Sequence, residues 1–436
     1  MRGECVRMAR TKVKETKNGL RVTKGDKKKE QFREAHYRER RRVLISVLAV
    51  IAIACIGILY YLFGGASAKE GTTLACGQQF SMIIQRGTLY TCGMNKSGQL
   101  GTGQADDCYN IPVKTMEDVK TAAAGYDTAF AITKDGTLYG WGGNKYGQLA
   151  DGTFDNANTP VEIMSDVTAV AAGTGHVVAI TSDGSVYSWG DNSYNLIGQS
   201  DCENADGVPC QSKPVKIMDH GADVSAGEQT SFVVTEDGTM YGWGLDQNGQ
   251  IGVAEADSKS DEKVPYQSEP AEILTDVKKV SAGRYSHTLA LTTDGAVYAW
   301  GNNLSGAVGA QSKADGDTVY SEPVKVLDDC VDISAGSSHS LALKGNGELY
   351  AWGSQLNYQI GVENVDHQTS LDDYYYQTRP VKVCSGVSQM ATGGMHNILR
   401  TRHGLIKTWG SNTLGQCGNH SFDNVQLPEQ INITAS

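Results

Sequence analysis

One recurrence limits what this chain can fold into. A glycine returns at Gly93, Gly142, Gly190, Gly244, Gly301, Gly353 and Gly410, at intervals of 49, 48, 54, 57, 52 and 57 residues. Self-similarity at this period marks a propeller or solenoid, whose repeats must stack on one another to bury a core. Trp stands before six of those glycines, as Trp141, Trp189, Trp243, Trp300, Trp352 and Trp409, and these are all the Trp in the chain. Cys92 takes the seventh place. Each unit begins on a small residue and Gly, from Cys76-Gly77 and Ala124-Gly125 through to Thr392-Gly393. Each ends in an apolar strand expected to open at a proline: Pro112, Pro160, Pro214, Pro270, Pro323, Pro380 and Pro428.

Residues 332–361 show the unit most plainly. A short apolar run ends at Gly336, and a second covers His339 to Lys344. Gly345-Asn346-Gly347 then turns the chain, as hairpin loops do. The returning run ends at Trp352-Gly353, and the run led by Pro380 supplies a fourth strand. Leu349 and Ala351 point to one side of the third strand, Tyr350 and Trp352 to the other. A sheet apolar on both faces must be covered on both, which radial packing of blades achieves. The expected fold is all-β, a seven-bladed β-propeller of four-stranded antiparallel blades over residues 74–436.

Residues 1–42 hold sixteen Lys or Arg and six Asp or Glu, a charge of +10, which leaves −21 for residues 43–436 of the chain's net −11. With few aromatics, the tail reads as largely disordered. Residues 43–63 form 21 uncharged, mostly apolar positions. As a helix they span about 31 Å, the thickness of a hydrocarbon core. Arg40, Arg41 and Arg42 abut that run, so the positive-inside rule puts the tail in the cytoplasm and the propeller outside, beyond a linker at 64–73. The run exceeds a signal peptide's apolar region, which favours an uncleaved signal-anchor; cleavage after Ala68 is the alternative. An acidic propeller argues against nucleic-acid binding, which needs a basic footprint.

The unit resembles the repeat of the regulator of chromosome condensation family. The resemblance rests on Ala335-Gly336, His339-Ser340-Leu341-Ala342-Leu343, Tyr350 and Trp352-Gly353, and on Gly-Gln-Leu-Gly at Gly98 to Gly101. That last motif persists in part at Gly147 to Leu149, Gly249 to Gly252 and Gly415 to Gly418, and the resemblance covers residues 74–433. It implies a seven-bladed scaffold whose loops bind a protein partner. The family's founding member exchanges nucleotide on a nuclear GTPase, but the repeat motif carries no exchange residues to transfer. A photoreceptor of the family uses clustered extra Trp, and here the repeat consumes every Trp. Membrane-anchored members of bacterial type, and secreted propellers that act as inhibitors, are the relatives the anchor suggests.

No His-Glu-x-x-His, Gly-x-Ser-x-Gly or phosphate loop occurs, so no catalytic residue, cofactor or metal site is expected. His176, His287, His339 and His396 share one repeat slot, and Phe80, Thr128 and Thr230 fill it in other blades. A slot open to Phe reads as packing or hydrogen bonding. Asp135, Asp183, Asp237, Asp294 and Asn346, each before Gly, read as hairpin turns. Cys202 and Cys210 fall in one loop and form the disulfide candidate, in line with an oxidising compartment. Cys76, Cys92 and Cys417 read as small buried hydrophobes, with a bridge across the ring closure as the alternative.

Length variation falls in one loop of the unit. Residues 199–213, 253–269, 310–322 and 362–379 are insertions in blades three to six. Loops on a rigid scaffold gather binding residues. Tyr109, Tyr266, Tyr320 and Tyr376 recur shortly before the proline, which suggests packing, yet Tyr266, Tyr320 and Tyr376 also stand beside the insertions as binding candidates. Tyr374 and Tyr375, with Asp372 and Asp373, make an acidic-aromatic cluster suited to an interface. The last strand is expected beside Leu74 and Ala75, closing the ring. The chain then reads as a monomeric, membrane-anchored, extracytoplasmic propeller that binds a protein or peptide. A wall-associated adhesive or inhibitor-like role is the alternative, with guanine-nucleotide-exchange-like or hydrolase activity behind it.

Overall fold

The glycine that closes each third strand is required by its backbone. In the computed structural model all seven have φ between 96° and 111°, a region that L side chains rarely adopt. A Cβ at Gly142 would also sit 2.3 Å from the Asp127 carbonyl oxygen. The structure describes residues 73–433 apart from 199–202, 206–207, 261–262, 286, 311–317 and 370–373. The expected tail and membrane span lie outside these residues. Among the described residues no helix is long and apolar enough to cross a membrane.

Seven antiparallel sheets follow in chain order, each from one contiguous stretch. Blade 1 runs through Leu74–Cys76, Phe80–Gln85, Thr88–Met94 and Cys108–Met116. Blade 2 ends at Ala157–Met164, blade 3 at Val208–Met218, blade 4 at Pro265–Leu274 and blade 5 at Val319–Leu327. Blade 6 ends at Tyr374–Cys384 and blade 7 at Val425–Ile431. The insertions of blades 3, 4 and 6 fold back as a short fifth strand, Glu203–Ala205, Ser258–Lys259 and His367–Thr369, on the outer edge.

The prolines do not open the outer strands, as the sequence suggested. They lie inside them, where the ladder slips register. In blade 5, Ala299 pairs with Val324 and Gly301 with Tyr320, so residues 321–323 bulge opposite Trp300. Proline is tolerated in an edge strand at a bulge, where its missing N–H breaks no ladder bond. The slip frees the Trp from its own outer strand and lets it serve the neighbouring blade.

That service is regular. Trp141, Trp189, Trp243, Trp300, Trp352 and Trp409 are fully buried. Each indole donates to a carbonyl of the preceding blade's loop: to Gln99 at 3.0 Å, Gln148 at 2.8 Å, Leu196 at 2.9 Å, Gln250 at 3.0 Å, Ala307 at 2.8 Å and Gln359 at 2.9 Å. Burying one such side chain stabilises by about 4–6 kcal/mol on an area basis. Serine, threonine or asparagine on the second strand often reaches the same carbonyl, as Ser231, Thr288, Ser340 and Asn397 do.

First strands touch one another all the way round, Leu74–Cys76 meeting Val387–Thr392 to complete the circle. At this closure Cys92 replaces the indole, its Sγ 3.7 Å from the Gln416 carbonyl oxygen, while Ser81 Oγ donates to that carbonyl at 2.7 Å. The last strand does not pair with Leu74. It is the outer edge of blade 7, bonded to Ile406–Gly410. Its end still meets the start of the chain, since Ile431 and Ile433 pack in one cluster with Leu74, Cys76, Ile83 and Ile398.

Candidate functional site

The strand directions place two loop sets on one face: the turn from first to second strand, and the loop from third to fourth strand that carries the insertions. This loop face opposes the Asp-Gly hairpins. There Asp183 Oδ1 accepts from Thr181 Oγ1 at 2.6 Å and from the Ser185 amide at 3.0 Å. Those bonds hold the Asp183 carboxyl down to about 2, Thr181 contributing most. The hairpins are thus turns with local caps, as their sequences imply.

The tyrosine candidates divide. Tyr320 is buried in the core between blades and presents no surface to a partner, which removes it from the binding set. Tyr376 is half-buried, its ring 4.5 Å from that of His367 and packed near Gly306 of the preceding blade. Tyr266 is half-buried against Tyr194, at 6.0 Å between ring centres. The recurrence before the proline is therefore an inter-blade packing slot, because the outer strand at that point lies on the neighbour's loop. Tyr375 is half-buried, and its carbonyl accepts from the Gln355 amide at 2.8 Å. Tyr374 begins the outer strand Tyr374–Cys384. Asp372 and Asp373 lie outside the described residues, as does Cys202, while Cys210 is buried with its backbone paired to Asp191 and Glu203.

The four shared histidines are buried, each bridging to the second strand of the next blade. His176 Nε2 meets the Thr230 carbonyl at 3.1 Å and His287 meets Ser340 Oγ at 3.1 Å. His339 meets Asn397 Oδ1 at 2.7 Å and His396 meets Ser81 Oγ at 2.9 Å. Burial is the main cause that pushes their pKa down, to about 4 for His176 and His339 and about 3 for His287 and His396. They are neutral at physiological pH and serve as blade-to-blade struts. Among the described residues no group of three or more His, Cys, Asp or Glu is placed to hold a metal ion.

Sequence reading overlooked the mouth of the ring. The residue after each opening glycine is Gln78, Tyr126, Thr174, Glu228, Arg284, Ser337 or Gly394. Arg284 of blade 5 lies over the ring of Tyr126 of blade 2 at 5.9 Å, across the axis from its own blade. Ser337 of blade 6 likewise reaches Gln78 of blade 1 at 3.4 Å. Burial lowers the Arg284 guanidinium to about 10, opposed by the nearby Glu228 carboxylate. In the sequence this slot shows only as one that no residue type repeats, and nothing there places it at the mouth of the ring.

Beside this mouth lies a cleft of about 310 Å³ across blades 5 to 7, lined among others by Tyr285, Leu304, Leu356, Asn357 and Met395. Leu304 and Leu356 are 61% and 49% exposed. The equivalent loop position holds Lys96, Lys145, Ser193, Gln247 and Thr413 in the other blades. Two neighbouring leucines in an otherwise polar slot make a local apolar floor, and exposed apolar patches mark interaction sites.

A seven-bladed ring with an indole latch at six of its joints, a varied loop face and a small mixed cleft defines a propeller of the regulator of chromosome condensation class. The match to known families agrees: residues 64–285 match the RCC1-like domain, and residues 277–307, 294–343 and 330–359 match RCC1 repeats. The chain belongs to the RCC1-like domain family. It is 30% identical over 220 residues to the human probable E3 ubiquitin-protein ligase HERC6, a match covering 48% of this chain and 20% of that protein. It is 31% identical over 203 residues to the ultraviolet-B receptor UVR8 of Arabidopsis thaliana, covering 45% of this chain and 42% of that one. The chain therefore spans less than half the length of these relatives. Among solved structures, yeast RCC1 (Prp20) bound to Kap60 is similar at 21% identity and a TM-score of 0.69, covering 84% and 85% of the two chains. Human WBSCR16 is similar at 20% identity and a TM-score of 0.67, covering 79% and 94%.

Proposed function

We propose that this protein is a membrane-anchored, extracytoplasmic scaffold that binds a protein or peptide partner on its loop face, without catalysis. The observation that carries this reading is where variation is allowed. The ring joints repeat from blade to blade, while loop length and surface chemistry change on the loop face of blades 3 to 6. Protein partners named for similar folds support it, since yeast RCC1 was solved with Kap60 and its binding to Gsp1p and histones was characterised. The adhesive reading remains the competitor, and length variation confined to one face favours a specific partner over it.

Replacing residues 199–207, 253–264, 310–318 and 362–373, which precede the outer strands, by turns of blade-2 length tests the scaffold reading. Saturable cross-linking of the full chain to one partner on native cells should disappear while the melting temperature holds. Cross-linking that persists unchanged would reject the loop face as the binding surface. The anchor reading rests on the apolar run at 43–63 and the arginines before it. Protease added to intact cells should remove the propeller and spare residues 1–42; loss of the tail instead would reverse the topology.

A further inference from the structure

The cation at the ring mouth has unused hydrogen-bonding capacity. Arg284 Nη1 is enclosed and finds no acceptor among the described residues. A guanidinium carries five donors in a planar fork suited to a carboxylate. An enclosed donor without a protein acceptor is unfavourable. Glu228, whose negative charge acts most strongly on Arg284, is exposed and forms no ion pair with it among the described residues. The internal partner is an aromatic face, that of Tyr126.

Tyr285, the next residue, is 45% exposed and lines the cleft that Leu304 and Leu356 floor. An unsatisfied cation and an apolar cleft therefore adjoin through one backbone turn. Around them the face carries carboxylates, including Asp127, Asp191 and Glu228. With −21 on residues 43–436, a second copy of the propeller would be repelled face to face, and so would a polyanion. The complementary surface has one carboxylate in a neutral or basic setting, with an aliphatic group next to it.

Resting on the scaffold reading, we propose that the loop face recognises a protein segment bearing a single acidic side chain beside an aliphatic one. The carboxylate meets the Arg284 guanidinium at the ring mouth, and the aliphatic side chain enters the cleft between Leu304 and Leu356. Arginine and tyrosine at the centre of a rimmed patch are the residues that most often dominate binding.

The test uses random dodecapeptides displayed on phage, panned against the full chain in detergent micelles. Sequences pairing Asp or Glu with an adjacent Leu, Ile, Val, Met or Phe should be enriched. Enrichment of basic peptides lacking a carboxylate, or of no sequence class, would overturn the proposal. The best peptide is then synthesised with Glu or Gln at the acidic position. The change should weaken binding about tenfold, as loss of a charge-assisted pair does. With Arg284→Gln the two peptides should bind alike, and with Leu304→Ser plus Leu356→Ser both should weaken while their ratio persists. A Glu-to-Gln ratio unchanged by Arg284→Gln, in a protein that melts as the parent does, would reject Arg284 as the anchor. If the loop replacements abolish cross-linking on cells but Arg284→Gln alters nothing, the scaffold reading stands and this one falls. Arg284→Lys, which keeps charge but loses the fork, should recover part of the ratio.

Discussion

The joint between blades 5 and 6 and the joint between blades 7 and 1 perform the same task with different side chains. At the first, Trp352 Nε1 and Ser340 Oγ both donate to the Ala307 carbonyl, each at 2.8 Å. At the second, Ser81 Oγ donates to the Gln416 carbonyl at 2.7 Å, and the Cys92 thiol stands off at 3.7 Å. Polar satisfaction of the shared carbonyl is thus kept, while a large buried ring is exchanged for one sulfur. The exchange falls at the joint that no peptide bond crosses. Fully buried aliphatic residues, Ile83 and Ile398 among them, pack together at this closure. Hydrogen bonding sets the register of every joint, and the amount of apolar surface sets its strength.

The comparison breaks if the indole matters no more than the thiol. Trp352→Ala should cost about 3–5 kcal/mol, the range for emptying a buried aromatic site, read from denaturant midpoints. The pH dependence sharpens it at an intermediate scale. The four strut histidines, with native pKa near 3 or 4 because of burial, are neutral in the fold and protonate on unfolding below about 6.5. Their stabilisation is complete above that value and is lost as pH falls toward 4. Asp223 and Asp246, raised to about 6 by burial, oppose this by holding protons in the native state below that pH. His396→Thr, a residue the slot accepts in blades 2 and 4, should reduce the slope of stability against pH by about 1.4 kcal/mol per unit between pH 6 and 4. An unchanged slope would mean that His396 is not held neutral at the closure. Smallest of the three, Cys92→Ala should cost only about 1 kcal/mol, the loss of a small buried group. A cost equal to that of Trp352→Ala would show that the closure is as strongly latched as the rest.

The architecture was legible because its requirements are local. Seven positions demand a backbone that glycine adopts freely, and six demand an indole, so the repeat is written in residue types. The register slip was hidden. Pro323 looks like the start of a strand in sequence, and only pairing reveals that the strand already runs from Val319. The binding face was harder for a related reason. Looking for what recurs led to Tyr266, Tyr320 and Tyr376, and recurrence turned out to signal packing. Arg284, Leu304 and Leu356 are informative because they depart from their slots, and a departure has meaning only once the slot's place on the loop face is known.

The latch carbonyls at Leu196, Gln250, Ala307 and Gln359 each lie three residues before the long segments that begin at 199, 253, 310 and 362. Each blade is thus fastened to the next before its variable segment starts. A segment can lengthen, shorten or be exchanged without touching the fastening, and the chain re-enters the ring at the outer edge strand, the least constrained position. Such a ring can change what it recognises by swapping cassettes of sequence, one blade at a time, and a graft that began three residues earlier would replace the latch residue itself.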